Sequence, residues 1–259
     1  MEQITYLIEE LLKEMPQYQS EAASFSKDEK NQRRLLRSLM NVRPPMPLKK
    51  EFLDVQDELL QQETKRKGIV TVSQMKPTIE ERIYLWQGDI TRLGVDAIVN
   101  AANAQMLGCF VPCHGCIDNA IHSSAGLELR DACNKLMDEQ GHEEPIGQAK
   151  ITRGYNLPSE YVIHTVGPYI YDSVHEKERN ELYQCYISCL ELAEKNDLKS
   201  IAFCCISTGE YHFPNQQAAE IAIQAVKDFY NGTHSEMKVI FNVFKDNDER
   251  IYRELLTKN

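Results

Sequence analysis

The most informative segment of the chain is Asp96-Ala-Ile-Val-Asn100-Ala-Ala-Asn103-Ala-Gln-Met-Leu-Gly-Cys109-Phe-Val-Pro-Cys113-His114-Gly-Cys116-Ile-Asp118. Its first five residues form a short apolar run, which indicates a buried strand of a parallel sheet. A loop follows, and we predict that a helix begins near Cys116. Open α/β sheets bind ligands where strands end and helices begin. Because this loop combines amides, thiols, an imidazole and a carboxylate, it is the first candidate for a functional site.

Apolar runs rich in β-branched residues alternate with helical stretches from about residue 69 onward. The predicted strands are 69–72, 83–87, 96–100, 149–153, 161–166, 200–206 and 238–244. The predicted helices lie near 117–137, 178–196, 215–230 and 248–257. This alternation predicts an α/β domain with a mixed, largely parallel sheet.

Residues 1–75 follow a different pattern, which predicts a small helical extension. One helix carries apolar residues from Ile4 to Leu12, and a second, beginning after Ser26, carries Leu35 and Leu39. A third runs from about residue 49 to 67 and ends at Gly68. Their apolar faces are modest, so we expect this extension to pack on a main domain of residues 76–259. Nothing in the extension indicates catalysis.

Composition excludes several classes of function. The chain has 259 residues, is 42% apolar and carries a formal net charge of −10. This negative charge disfavours binding along a nucleic-acid polymer, and we expect none. No apolar stretch is long enough to span a membrane, and the N-terminus lacks a secretory pattern. We therefore expect a cytoplasmic protein without membrane contact.

The eight cysteines fall into two groups. Disulfides are not expected in the cytoplasm, and buried thiols usually serve as small core residues. We assign that structural role to Cys133, Cys185, Cys189, Cys204 and Cys205. The other three cysteines lie together in the loop that follows the strand at 96–100.

Zinc is the metal that this cysteine loop favours. Thiolates and imidazoles are zinc ligands, and Cys109, Cys113, His114 and Cys116 are all candidates within eight residues. Three protein ligands make an open, catalytic site, whereas four make a closed, structural one. Free thiols or a redox pair are the alternative. A zinc deaminase is disfavoured, because the upstream His-x-Glu half of its signature is missing.

Two further loops follow predicted strands. Gln87-Gly-Asp89-Ile90-Thr91 is the first, and Ile206-Ser207-Thr208-Gly209-Glu210-Tyr211 is the second. A glycine loop that enters a helix can present free backbone N–H groups to a phosphate. Alone this is a weak signal, and it gains weight from its expected position at the same sheet edge as the cysteine loop.

Together these segments resemble the macrodomain family of ADP-ribose-binding proteins. The matching motifs are Gln87-Gly-Asp-Ile-Thr, Asp96-Ala-Ile-Val-Asn-Ala-Ala-Asn103, Ile121-His122 with Ala125-Gly126, Gly147 to Thr152, Val162-Ile-His-Thr-Val-Gly-Pro168, Ile206-Ser-Thr-Gly209 and Val239-Ile-Phe-Asn-Val-Phe244. They occur in the family's order over residues 83–257. The resemblance implies a three-layer α/β/α fold with a mixed, largely parallel sheet.

The cysteine loop departs from the family pattern, in which a run of glycines usually precedes the Asp of the helix start. With the helical extension, it is similar to zinc-dependent macrodomains of bacterial and fungal pathogens. That subgroup implies a zinc site at Cys109, His114 and Cys116, with Cys113 left open. It also implies removal of mono-ADP-ribose from proteins, preferably from an ester to Asp or Glu. Implied partners are a lipoyl-carrier protein related to the glycine-cleavage H protein and a sirtuin-like ADP-ribosyltransferase.

The resemblance also implies roles for single residues. Asp89 and the Ile90 amide would bind adenine, Phe244 would stack on the base, and Asn100 and Asn103 would bind the distal ribose. The backbone of Ser207, Thr208, Gly209, Glu210 and Tyr211 would hold the diphosphate. Asp118, with Asn103, would serve catalysis.

Simpler structural roles are open for the same residues. In these alternatives, Asp89 and the two asparagines form turns, Phe244 belongs to the core, and Asp118 interacts favourably with the helix dipole. We expect His122 and His164 to be structural. Two other functions share this site: an ADP-ribose reader with a structural zinc, and a hydrolase of O-acetyl-ADP-ribose.

Overall fold

A parallel sheet with a helical extension forms the described part of the chain. The computed structural model describes residues 1–78 and 80–257. Their strands are β1 Val70–Thr71, β2 Ile83–Gln87, β3 Leu93–Gly94, β4 Ala97–Ala101, β5 Ala149–Arg153, β6 Tyr161–Thr165, β7 Ser200–Phe203 and β8 Lys238–Val243. Their α-helices are α1 Glu2–Glu14, α2 Gln19–Ala23, α3 Glu29–Val42, α4 Lys50–Lys67, α5 Ile117–Ala125, α6 Leu127–Gln140, α7 Glu176–Lys195, α8 Asn215–Thr233 and α9 Asp246–Thr257.

The main sheet has six strands in the order β2-β8-β7-β4-β6-β5. Every neighbouring pair is parallel except β5 and β6. The connection from β4 to β6 runs one way along the sheet, and those from β6 to β7 and from β7 to β8 run the other way. Because such crossovers are right-handed, α5 and α6 cover one face and α7 and α8 the other. The predicted three-layer α/β/α fold is confirmed.

The central strands of the sheet are buried, which explains the continuous apolar run at residues 96–100. All four residues of β7 are buried, as are the first four of β4. Strands covered by helices on both faces cannot show the alternation of a half-exposed strand. The carboxyl ends of these buried strands therefore open directly into loops at one edge of the sheet.

The extension has a hydrophobic cluster of its own, to which α1, α3 and α4 contribute. Leu7, Leu11 and Leu36 are fully buried in it, and Leu127 of the main domain completes it. The predicted helical extension is confirmed, and Gly68 ends α4 with a φ of +80°. Asp28, not Ser26, caps α3, because that helix begins at Glu29. The boundary at residue 76 stays a prediction, and residue 259 lies outside the described residues.

Arg130 joins the extension to the main domain. Its buried guanidinium donates hydrogen bonds to the backbone carbonyls of Met40, Asn41 and Arg43, which end α3, and of Leu107. Burial lowers its pKa to about 10, so the guanidinium stays charged at neutral pH. Carbonyl oxygens partly replace the water that this charge loses on burial. The end of α3 is thereby fixed against the loop that follows β4.

The largest differences between prediction and structure concern a helix and a strand, and the strand predicted over 200–206 also ends early, at Phe203. The helix predicted over 117–137 is two helices, because Gly126 adopts a φ of +103° between α5 and α6. A Cβ at Gly126 would lie 2.7 Å from Nε2 of Gln56, so the extension also crowds this turn. The strand predicted over 69–72 is only Val70–Thr71, which pairs with β3 outside the main sheet. No helix in the described ranges is long and apolar enough to cross a membrane.

Candidate active site

A cleft of about 650 Å³ lies at the carboxyl ends of the parallel strands. Its walls come from the segments that follow β2, β4, β7 and β8. These strands are neighbours in the sheet, so the loops that leave them converge at one edge. The volume is in the range typical of small-molecule sites.

The cleft brings together thirteen of the fourteen residues predicted for the site. Those that line it are Asp89, Ile90, Asn103, Cys109, His114, Cys116, Asp118, Ser207, Thr208, Gly209, Glu210, Tyr211 and Phe244. Asn100 does not line the cleft, because its side chain is fully buried behind the wall.

Cys109, His114 and Cys116 form a compact cluster on one wall. Their ligand atoms all lie within 4.8 Å of one another, and all three residues are half-buried. Sγ of Cys109 is 3.6 Å from Nδ1 of His114. Two thiols and one imidazole are a donor set that suits zinc, and three protein ligands leave a position for water or substrate. These residues therefore fit the metal that the sequence suggests.

Cys113 lies on the other side of the same loop. Its Sγ is 3.3 Å from Oγ of Ser38 and 3.5 Å from the backbone oxygen of Arg34. Its backbone N–H donates to Oδ1 of Asn41, and its φ of +53° turns the loop away from the cluster. The thiol thus faces α3, and the cluster holds three of the four candidate ligands.

The extension and the second loop both approach the cluster. Arg37 of α3 donates to Oδ1 of Asn119 at 2.6 Å and to the backbone oxygen of His114 at 3.4 Å. Nε2 of His114 lies 3.7 Å from a carboxylate oxygen of Glu210. Hydrogen-bond partners orient the ring of a metal-ligating histidine. Glu210 lies near His114 but beyond hydrogen-bond distance, so the contact from Arg37 is the one that fixes the backbone at His114.

Asp118 lies in the first turn of α5, where it is 5% exposed and lines the cleft. Its Oδ1 accepts a hydrogen bond from Nδ2 of Asn100 at 2.8 Å, and Nε2 of His122 lies 3.4 Å from the same oxygen. Burial raises the pKa of Asp118 to about 6, against the opposing effects of the Asn100 hydrogen bond and the Arg130 charge. The result is a fixed carboxylate that is more basic than an ordinary Asp.

Behind Asp118, buried polar contacts connect the side chain of Asn100 in β4 to side chains of β6 and β5. Nδ2 of Asn100 is 3.2 Å from Nδ1 of His164, and Nε2 of His164 is 2.9 Å from Oγ1 of Thr152. Burial lowers the pKa of His164 to about 3, so the ring is neutral. These contacts assign the proton to Nε2, with Nδ1 accepting from Asn100. They fix the Asn100 amide that holds Asp118.

The Ser207–Tyr211 loop presents backbone donors to the cleft. The amide N–H groups of Ser207, Gly209, Glu210 and Tyr211 have no hydrogen-bond partner in the described part of the chain. Ser207 adopts a φ of +63°, and a Cβ at Gly167 would lie 2.1 Å from its Oγ. The loop therefore depends on Gly167 for room. Clustered free amides of this kind bind anions such as phosphate.

Local turns also use the predicted ligand-binding side chains. Oδ1 of Asp89 accepts from the N–H and the hydroxyl of Thr91, and Oδ1 of Asn103 accepts from the N–H groups of Gln105 and Met106. Asp89 and Asn103 therefore form the predicted turns and also line the cleft. Phe244 is 75% exposed at the cleft rim, which excludes a place in the core.

Comparison with known proteins places this arrangement in a family. A model of the macro domain matches residues 99–222. A protein-ADP-ribose hydrolase of Treponema medium is 51% identical over 255 residues, which are 97% of each chain. The chain belongs to the macro domain family.

Two further relatives extend the comparison of this macro domain. A solved Trypanosoma brucei macrodomain in complex with ADP-ribose matches with a TM-score of 0.66 and 31% identity, over 85% of this chain and 94% of that one. A probable bifunctional ADP-ribose hydrolase/ADP-ribosyltransferase of Fusarium oxysporum is 42% identical, over 86% of this chain and 40% of that protein. This macro domain therefore spans less than half of the longer fungal protein.

Several residues in and behind the cleft wall were not among those predicted for the site. Arg37 lines the cleft although no catalytic signal was found in residues 1–75. Arg130 lies behind the wall and contacts Met40 and Asn41, which are 90 and 89 positions away in the chain. His164 is buried and structural, as predicted, but its contact with Asn100 was not foreseen. The motif Val162-Ile-His164 was available as a signal, but a histidine in a strand does not reveal its partners.

Proposed function

We propose that this macro domain is a zinc-dependent hydrolase that removes mono-ADP-ribose from modified proteins. The observation that carries the proposal is the placement of the Cys109–His114–Cys116 cluster and Asp118 in one cleft with free backbone amides. A phosphate-binding loop and a candidate hydrolytic centre thus share one small-molecule site. The Treponema relative is named a protein-ADP-ribose hydrolase and the Fusarium relative a probable ADP-ribose hydrolase/ADP-ribosyltransferase, which supports hydrolysis of ADP-ribose linkages.

In this proposal, ADP-ribose extends along the cleft from Asp89 to Asp118. Asp89 and the Ile90 amide bind the adenine edge, and Phe244 stacks on the base at the rim. The free amides of the Ser207–Tyr211 loop hold the diphosphate. Asn103, which lines the cleft beside the cysteine loop, contacts the distal ribose.

Asn100 takes a different role from the one that the resemblance implies. Its amide is buried and donates to Asp118, so we assign it to positioning that carboxylate and not to binding ribose. This role gives the fully buried Asn100 amide in β4 two partners for its Nδ2 group, Asp118 and His164. A buried polar side chain needs such partners to offset the cost of its desolvation.

Cys109, His114 and Cys116 would hold the zinc ion. When bound, zinc supplies a Lewis acid that polarises an oxygen of the substrate or lowers the pKa of a water molecule. Asp118 orients the attacking water and accepts its proton as the new bond to the anomeric carbon of the distal ribose forms. The bond from that carbon to the carboxylate of the modified side chain breaks, and that carboxylate leaves.

We further propose an ester linkage to Asp or Glu, and a cytoplasmic protein that acts with a sirtuin-like transferase on a lipoyl-carrier protein related to the glycine-cleavage H protein. All eight cysteines are free, as expected in a reducing compartment. The name of the Fusarium relative combines a hydrolase with an ADP-ribosyltransferase in one protein, which is in keeping with a functional link. The carrier protein and the linkage rest on the resemblance of the cysteine loop alone.

The alternative functions use the same cleft and differ in turnover. A reader would bind ADP-ribose without cleaving it, and the metal would then only shape the loop. A hydrolase of O-acetyl-ADP-ribose would need no protein substrate. Turnover on a modified protein separates both from the proposal.

Substitution of the cluster tests the role of the metal. We expect Cys116→Ala and His114→Ala each to lose bound zinc and to lower kcat on an ADP-ribosylated protein by roughly 100-fold or more, because a Lewis acid contributes several kcal/mol. Zinc content, kcat and the calorimetric Kd for ADP-ribose are the measurements. Cys113→Ala is the matched control, since its thiol faces α3, and it should keep zinc and turnover. Full activity of the two ligand variants would refute the zinc mechanism.

A further inference from the structure

A positively charged groove lies on the extension beside the cleft. Its volume is about 540 Å³, and its lining includes Arg33, Arg34, Arg37, Arg66 and Lys67, which we call the arginine surface. Glu63 and Cys113 complete the lining. The basic side chains project from α3 and α4.

The groove contrasts in charge with the whole molecule. Its five basic residues and one glutamate give a formal charge of +4, whereas the chain has −10. Arg33 is already paired with Glu63 through two hydrogen bonds, and Lys67 lies 3.7 Å from Asp89. Arg34 and Arg66 are exposed and have no carboxylate within 4.0 Å in the described residues. Two guanidinium groups of the arginine surface are thus available to pair with an external partner.

The groove is continuous with the active-site cleft. Arg37 lines both, and it contacts the backbone oxygen of His114 in the cysteine loop. Cys113 lines the groove, while its neighbour His114 lines the cleft. A protein chain whose modified residue reached the distal ribose site would therefore have its flanking residues close to the arginine surface.

We propose that the arginine surface binds an acidic segment of the ADP-ribosylated protein, next to the residue that carries the modification. This inference rests on the proposed hydrolase function. Guanidinium groups pair with carboxylates in a bidentate geometry, and Arg34 and Arg66 are free to do so. The diphosphate of ADP-ribose is assigned to the free amides of the Ser207–Tyr211 loop, so it does not need the arginine surface. A net charge of −10 disfavours a polynucleotide as the occupant.

Two peptides test this inference directly. Each carries ADP-ribose on one acidic residue, which is flanked by glutamates in one peptide and by glutamines in the other. The wild-type chain should cleave the glutamate-flanked peptide with a KM lower by about tenfold, because ion pairs to the two exposed guanidinium groups contribute. kcat should be equal for the two peptides, and the preference should weaken with added salt.

Charge reversal provides the matched comparison. Arg34→Glu combined with Arg66→Glu should abolish the preference by raising KM for the glutamate-flanked peptide, with kcat and the glutamine-flanked peptide little changed. Lys199→Glu combined with Lys238→Glu makes the same charge change where β7 and β8 begin, at the sheet edge away from the cleft. This variant should keep the preference. A preference that survives the arginine reversals, or that is absent in the wild type, would overturn the inference.

The failure of the hydrolase proposal would look different. If the wild-type chain cleaves neither peptide, anisotropy with the fluorescent peptides still measures whether glutamate flanks tighten binding and whether the arginine reversals remove that gain. Equal affinity for the two peptides would then overturn the inference. A single-stranded oligonucleotide that bound through Arg34 and Arg66, with no glutamate preference, would assign the groove to nucleic acid instead.

Discussion

At the residue scale, the cleft is built from side chains that serve the local backbone and the ligand site together. Asp89 and Asn103 each accept hydrogen bonds from the turn that follows them, and each lines the cleft. These turns fix the carboxylate and the amide before any ligand arrives. Such preorganisation reduces the entropy lost on binding.

Gly209 provides a prediction about the phosphate loop. A Cβ at Gly209 would meet no protein atom within 4 Å, so a larger side chain there fills the cleft without disturbing the fold. We expect Gly209→Val to weaken ADP-ribose binding by about tenfold or more, because the side chain crowds the approach of phosphate to the free amides. Calorimetric Kd is the measurement.

Gly232 is the matched control for that substitution. It also has no atom within 4 Å of an added Cβ, and it lies near the end of α8. Gly232→Val should leave the Kd unchanged. An unchanged Kd in Gly209→Val as well would remove the Ser207–Tyr211 loop from the binding site.

At the scale of elements, the turn between α5 and α6 connects the extension to the site. Oε1 of Gln56, on α4, accepts from the N–H of Leu127, and Nε2 of Gln56 donates to Glu128 at 2.8 Å. Burial raises the pKa of Glu128 to about 7, although the hydrogen bond from Gln56 opposes the shift. Nearby Asp57 adds to the rise. The junction therefore contains a carboxyl group that folding makes harder to ionise.

This carboxyl group predicts a pH dependence of stability. Because its folded pKa lies above the ordinary 4.5, the folded chain binds its proton more tightly than the unfolded chain. The contribution of Glu128 to stability is full below about pH 4.5, falls as the pH rises toward about 7, and is constant above that. Glu128→Gln should remove this dependence and raise the free energy of unfolding at pH 8 by on the order of 1–2 kcal/mol.

Urea unfolding at pH 5 and at pH 8 measures the effect. Glu139→Gln is the control, because Glu139 is exposed on the same helix and its loss should not alter the pH dependence. If wild type and Glu128→Gln lose the same free energy between the two pH values, the junction carboxyl does not control stability.

At the scale of the whole molecule, the sequence predicted the parts that depend on local pattern. The run at residues 96–100 predicted a central strand, because burial on both faces removes polar residues from it. The alternation of strands and helices predicted the layers. The loops after β2, β4 and β7 predicted the cleft, because parallel strands end at one edge.

The parts that sequence reasoning missed depend on contacts between distant residues. Asn100 was expected at the ligand, but its neighbours His164 and Asp118 hold it inside the wall. The break at Gly126 arises from a positive φ and from crowding by α4, neither of which helical periodicity reports. The basic groove was missed because Arg34 and Arg66 lie on different helices, and only packing brings them together.

Zinc dependence is decided by the release of ADP-ribose from a mono-ADP-ribosylated protein. Release is measured before the metal is stripped with a chelator, after stripping, and again after zinc is restored. We predict that turnover is lost on stripping and recovered with zinc, while the Kd for ADP-ribose changes little. Undiminished turnover in a preparation shown to be free of metal would contradict the zinc-dependent mechanism and leave catalysis to Asp118. Tight ADP-ribose binding without turnover under any of these conditions would contradict the hydrolase assignment itself and identify a reader.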